Sequence, residues 1–445
     1  MSESLFGPIF VPDEIRESVG GRAWLQAMLD AEAALAVAEA RAGLIPPDAA
    51  KTIAGYCDAD RFDPEEIGRE GRAAGNPVAP LVKALTAAVP GEAARYVHKG
   101  ATSQDIVDTA AMLVARQALG LILIEIDGVA EACAHLADTN RTTIMAGRTL
   151  LQQALPITFG LKAAGWLVAV LEARRRLLTV RASGLAAQLG GAAGTLASLG
   201  PAGTRVLREF ALELGLAEPV VPWHTARLRI AELGSVLALT SGVLNKLALD
   251  VILMAQTEVA EVAEPSDGGS STLPHKRNAV LATTTVACAR RVPPLAQTLQ
   301  AAMAQEHERA AGAWHAEWET LSDALALTGG AAAATREAIE GLRVHPERMR
   351  ANLDATEGLL LAEHVTTLAA ERLGRLEAHE LVEAAARRTF ERKTSLREEL
   401  LAEPVLREVL SREEIDIALD PAQYLGSAGE FVDRALDLYR NEVPV

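Results

Sequence analysis

The sequence predicts an all-α protein organised round a bundle of long helices. Three observations carry that expectation. Hydrophobic residues make up 49% of the 445-residue chain and aromatics only 4%. The apolar share is rich in alanine and leucine, which lose little side-chain entropy in a helix. Apolar positions recur at steps of three and four over long stretches, and no alternating run of useful length marks a strand. Val220-Val221 is the one weak strand candidate.

The helices follow in order. Leu25, Met28, Leu29 and Leu35 share one face of an amphipathic helix that stops at Gly43, with Pro46-Pro47 behind it as terminators. From Met112 the apolar positions run through Ala115, Leu119, Ile122, Ile126, Val129, Cys133 and Leu136, a seam of period 3.5. A second stripe joins Leu237, Leu244, Leu247, Val251 and Met254, with Thr240 in the remaining step. Helices this long and apolar read as members of a bundle with neighbours on several sides.

Length alone suggests about three domains. Breaks fall at the polar, glycine-containing turn from Lys99 to Asp108, in the glycine-rich stretch 184–204, and at Arg343-Val344-His345-Pro346, after which the chain becomes strongly charged. The expected division is an N-terminal helical domain at 1–107, a central bundle at 108–342 and a C-terminal helical domain at 343–445.

Composition excludes several functions. A net charge of −16 argues against a nucleic-acid partner. The three cysteines, Cys57, Cys133 and Cys288, are far apart, which fits a reducing compartment rather than a disulfide framework. The first residues lack a basic segment followed by an apolar run, and the longest uncharged stretch, 184–204, holds six glycines and Pro201. The expectation is a cytoplasmic protein with no membrane partner. Neither phosphate-cradling glycine motif is present, and His307-Glu308 has Ala311 where a zinc helix needs its second histidine, so no metal and no cofactor is expected.

Two polar segments remain. The first, Glu264 to Val280, places two glycines and three successive hydroxyls ahead of His275, Lys276, Arg277 and Asn278. Composition alone permits a solvated linker, but glycines free backbone N–H groups for a carboxylate, and the donors that follow are cationic. The second, Tyr96 to Asp105, immediately precedes the seam helix. Ser103 or Asp105 can cap that helix, and a helix N-terminus also receives carboxylates.

These segments carry a resemblance. Gly269-Ser-Ser-Thr-Leu-Pro-His-Lys-Arg-Asn278 is similar to the signature loop of the fumarase/aspartase superfamily; Gly100-Ala-Thr-Ser-Gln-Asp105 and Gly147-Arg-Thr-Leu-Leu-Gln152 resemble its first and second conserved regions. Within that superfamily, Ala74-Gly-Asn-Pro77, Pro222-Trp-His-Thr225, Gln305 to Ala310, Trp314 to Glu319 and Asp420 to Gly426 resemble the bacterial 3-carboxy-cis,cis-muconate cycloisomerase family. There are departures. Leu150 stands where fumarase and adenylosuccinate lyase carry a histidine, Leu273 replaces a methionine, Ala279 replaces a proline, and Ala226 and Leu228 stand where the cycloisomerases tend to carry glutamine and aspartate.

The resemblance implies a three-part, all-α fold and a homotetramer whose sites combine segments of three subunits. It implies a cofactor-free cycloisomerase acting on a polycarboxylate. Ser270 would transfer the proton, and Lys276 would poise it. Thr102, Ser103, Ser271 and Asn278, with Asn76, His98, Arg148 and His315, would bind substrate. Arg277 and Arg309 can equally bridge helices, and Trp314 and Trp318 read as packing residues. Two alternatives stay open: another lyase of the superfamily, of the adenylosuccinate or other succinyl-eliminating type, or a cycloisomerase for a substituted muconate. A non-catalytic relative is a third.

Overall fold

The computed structural model describes residues 5–265, 268–269, 272–273 and 275–443. Long helices dominate: α1 (Gly21–Arg41), α2 (Val78–Ala88), α3 (Ser103–Thr139), α4 (Phe159–Thr179), α5 (Gly203–Leu214), α6 (Leu228–Met254), α7 (Val280–Ala301) and α8 (Ala313–Glu340). The chain folds as two compact units, one formed by 1–127, 172–246 and 283–335, the other by 128–171, 247–282 and 336–445. All five boundaries between the units fall inside helices, so the units do not coincide with successive stretches of sequence.

The two stripes read from periodicity are buried as expected. Met112, Ala115, Leu119, Ile122, Ile126, Val129, Cys133 and Leu136 all lie in the core, as do Leu237, Thr240, Leu244, Leu247, Val251 and Met254. By length and hydropathy α3 and α6 could each cross a membrane; here their stripes are spent on protein packing. Helix α1 buries Leu25, Met28, Leu29 and Leu35 and packs against α5. It closes as its composition predicts: Gly43 is left-handed, and the Leu44 N–H reaches back to the Glu39 carbonyl.

In the second unit the charged C-terminal stretch forms short amphipathic helices round an apolar cluster. Val365, Ala369, Val382, Leu396, Leu400, Leu406 and Ile415 make it up. Ser395 with Glu398 and Ser411 with Glu414 form reciprocal capping boxes.

Strand content corrects the sequence reading. Val220 is fully exposed and neither it nor Val221 is in a strand. An antiparallel hairpin forms instead from β1 (Ile144–Thr149) and β2 (Gln152–Thr158), with an irregularity between Ala146 and Arg148. Its small residues, two glutamines and Pro156 give no clean alternation, and a proline is tolerated only because the ribbon has edges. A second, minimal pair joins β3 (Val262–Ala263) to β4 (Arg343–Val344).

Leu119 is fully buried on the seam. Leu119→Ala should therefore cost about 3 kcal/mol through lost transfer energy and a residual cavity. Denaturant unfolding of the variant beside the parent checks this.

Candidate active site

The first motif owes its shape to one aspartate. Asp105, fully buried in the first turn of α3, accepts from four donors. The Thr102 and Gly191 N–H groups reach Oδ2 at 2.9 Å each; the Gly190 N–H at 2.8 Å and His224 Nε2 at 2.7 Å reach Oδ1. A carboxylate can be buried without great penalty only when its lone pairs are satisfied in this way. The result ties residues 100–105 to the glycine-rich stretch and to the Pro222–Thr225 segment. Gly100 has φ +78°, and a Cβ there would lie 2.4 Å from Leu199 Cδ2, so the loop's close approach requires glycine.

This anchoring leaves Thr102 and Ser103 half-buried at the amino end of a 37-residue helix. Neither hydroxyl has a partner among the described residues. Free hydroxyls beside the positive end of a helix dipole suit a carboxylate.

A second buried network lies one turn further along α3. Arg227 Nη1 and Nη2 donate to Asp108 at 2.7 and 2.9 Å, and Arg227 Nε donates to Glu317 at 3.0 Å. Trp314 Nε1 and Gln188 also donate to Asp108, and Gln305 to Glu317. Burial opposes the Arg227 charge, but Asp108 and Glu317 more than restore it and hold the guanidinium above its ordinary value. Removing either carboxylate would strand a buried charge. Gln104 donates to the His224 carbonyl at 2.8 Å and accepts from Arg309 Nε at 3.0 Å, which makes Arg309 a bridge to the loop.

In the second unit the signature segment closes on itself. The Asn278 backbone N–H and Nδ2 both donate to the Gly268 carbonyl, at 3.1 and 2.8 Å, and Gly269 pairs with Arg277. A Cβ on Gly268 would sit 2.3 Å from the Asn278 carbonyl oxygen, so no other residue fits. Glu264 caps α7, accepting from the Leu281 and Ala282 N–H groups at 3.0 and 2.7 Å; burial nonetheless raises its carboxyl above the usual range. Lys276 is exposed on this segment. Ser270 and Ser271 lie outside the described residues.

The other predicted residues find partners of their own. Arg148 makes a two-pronged ion pair with the fully buried Glu261, at 2.9 and 2.7 Å, and Asn352 donates to the same carboxylate. Its fork is engaged by protein rather than free for substrate. Asn76 Oδ1 accepts from the Val78 and Ala79 N–H groups and so starts α2. His315 is exposed and stacks edge-on with Trp314 and beside Trp318. His98 pairs through Nδ1 with Glu32 at 2.6 Å. At the hairpin tip Leu150 and Leu151 are both left-handed and exposed, Leu150 at 97%. Two leucines in that conformation are strained, and Leu150 stands where fumarase and adenylosuccinate lyase carry a histidine. Among the described residues no group of three or more histidines, cysteines, aspartates or glutamates is placed to hold a metal.

Comparison with known proteins bears on these motifs. A lyase family model matches residues 11–293, and a model of the adenylosuccinate lyase C-terminus matches 358–435. The chain belongs to the fumarase/aspartase superfamily of lyases. It is 48% identical to the 3-carboxy-cis,cis-muconate cycloisomerase of Bradyrhizobium diazoefficiens, over 97% of each chain. It is 46% identical to the nitrosuccinate lyase of Streptomyces davaonensis, over 98% of this chain and 95% of that one. The crystal structure of the 3-carboxy-cis,cis-muconate lactonizing enzyme of Pseudomonas putida matches with a TM-score of 0.94 and 45% identity, covering 98% of this chain and 99% of that one.

For this superfamily member the structure adds residues the motifs did not single out as functional. His224, Gly190 and Gly191 shape the first motif through Asp105, and Glu261 does the same for Arg148. His224 stood inside a quoted motif, but nothing local marked it as a partner of a residue 119 positions away. Asp105→Ala should leave three N–H groups and an imidazole unpaired and cost about 3–5 kcal/mol. Thermal unfolding tests it; an unchanged midpoint would contradict the anchoring role.

Proposed function

We propose that this chain lactonises 3-carboxy-cis,cis-muconate to 4-carboxymuconolactone, a step of protocatechuate degradation. The observation that carries the reading is near-full-length likeness to cycloisomerases, 48% identity with one and a TM-score of 0.94 with a lactonizing enzyme's crystal structure. The reaction is an internal addition. A substrate carboxylate oxygen bonds to one alkene carbon, and the displaced electron pair takes a proton at the other. No oxidation or reduction occurs, and charge accumulates on a neighbouring carboxylate in the transition state.

In this reading Ser270 gives its proton to carbon and recovers one from solvent. Lys276 and the N–H groups of Gly268 and Gly269 stabilise its alkoxide. Thr102 and Ser103 hold one substrate carboxylate at the start of α3, and Ser271 holds another. His98 and His315 are further carboxylate ligands. Asn278, Asn76 and Arg148 act by shaping the loop, the start of α2 and the hairpin, since each is engaged by protein. Positive groups around the bound substrate oppose the field of a net-negative chain.

A homotetramer with sites shared between subunits accompanies this reading. Support comes from α6, where Leu228, Leu239, Leu249 and Leu253 remain exposed in the single chain. Three free, buried cysteines accord with a cytoplasmic location. A second reading, an eliminating lyase of the same superfamily, is favoured by the 46% identity to nitrosuccinate lyase.

Incubation with 3-carboxy-cis,cis-muconate, with product identification by NMR, tests the proposal directly: the lactone is expected, and no turnover beside activity on a succinyl substrate would select the second reading. Ser270→Ala should lower kcat by about 10²–10⁴, the usual contribution of a proton-transfer group. The apparent KM should rise with salt, because at about 0.1 M the screening length is about 10 Å. Insensitivity of KM to ionic strength would contradict binding through these charges.

A further inference from the structure

Helix α1 carries two buried glutamates seven residues apart. Glu32 accepts from His98 Nδ1 at 2.6 Å, its side chain fully buried and the imidazole 19% exposed. Glu39 is fully buried with neither carboxylate oxygen partnered. Burial pushes its carboxyl up to about 8, which favours the neutral form near neutral pH. Lys99, next in sequence to His98, spends its ammonium on the Leu44 carbonyl at 3.0 Å. His98 itself is held left-handed, φ +57°, two residues before the left-handed Gly100. Strain of this kind persists only where the surroundings enforce it.

We propose that Glu32 is a positioning residue for this reaction: it clamps His98 through Nδ1, leaving Nε2–H as the imidazole's donor to a substrate carboxylate. This rests on the reading of His98 as a substrate ligand. A buried carboxylate with one oxygen unpartnered is tolerable when its single partner is cationic. Asp105 on α3 acts on His98, and Glu39 on α1 and the Cys57 thiol each feel Glu32; Lys99 acts on Glu39 and Asp30 on Cys57, one step further out. Burial lowers the tendency of His98 to hold its proton, but Glu32 first and Asp105 after it reverse that and raise its titration above the ordinary value. The sign is then definite: the donor is complete at low pH and is lost as pH rises through the raised value.

The test is a pair of variants followed by histidine-labelled NMR and by pH–rate profiles. In Glu32→Gln the His98 titration should fall by at least one pH unit, and the alkaline limb of kcat/KM should move with it, through KM more than kcat. Glu39→Gln should leave both near the parent at pH 7. A folded Glu32→Gln protein with unchanged His98 titration, or a uniform loss of activity without movement of the limb, would overturn the proposal. If that variant does not fold, the parent decides: ¹⁵N shifts should show Nδ1 protonated across the neutral range, and an unprotonated Nδ1 would contradict it. The NMR measurement needs no substrate. A negative lactone assay beside a clamped His98 would count against the substrate reading alone.

Discussion

The amino-terminal motif depends on one saturated carboxylate. Asp105 gathers the N–H groups of Thr102, Gly190 and Gly191 and the imidazole of His224, and by doing so brings three distant segments to one point. In a low-dielectric interior such a charge is expensive unless every lone pair is used, and each donor is equally expensive if left alone. The arrangement is therefore cooperative. Loss of one member exposes the rest to that penalty, and the hydroxyls of Thr102 and Ser103 keep their place only while it holds.

The second unit uses the same logic with different chemistry. Glu261 is buried, and Arg148 with Asn352 satisfies it; Glu264 is satisfied by the first N–H groups of α7. In each case a buried acid orders a segment that carries polar groups. Backbone strain marks the same places: His98 in the first motif and Leu150 with Leu151 in the second are left-handed without being glycine. Strain of that sort is maintained by surrounding structure and concentrates where geometry matters for function.

Much of the fold was legible because helical periodicity is a local signal. The seam from Met112 to Leu136 and the stripe from Leu237 to Met254 are buried where the spacing placed them. The hairpin at 144–158 escaped because its residues are small or polar and Pro156 breaks the strand pattern, while Val220-Val221 has the right residue types but is fully exposed at Val220, with no surface to pack on. The motifs themselves were legible as short runs. Their anchors were not: Asp105 meets His224 across 119 positions and Arg148 meets Glu261 across 113, and topology rather than local spacing decides such pairs. Arg148, Asn76 and Asn278 show the converse. Their residue types suit an anion, yet protein groups occupy them.

The most direct test of this account is a crystal structure of the assembled protein with the lactone product bound. The account expects a product carboxylate on the Thr102 and Ser103 hydroxyls, with Asp105 still holding its four donors and the Ser270 hydroxyl beside the ring carbon that gained the proton. Product bound away from both motifs, or a first motif rebuilt without the Asp105–His224 contact, would contradict it.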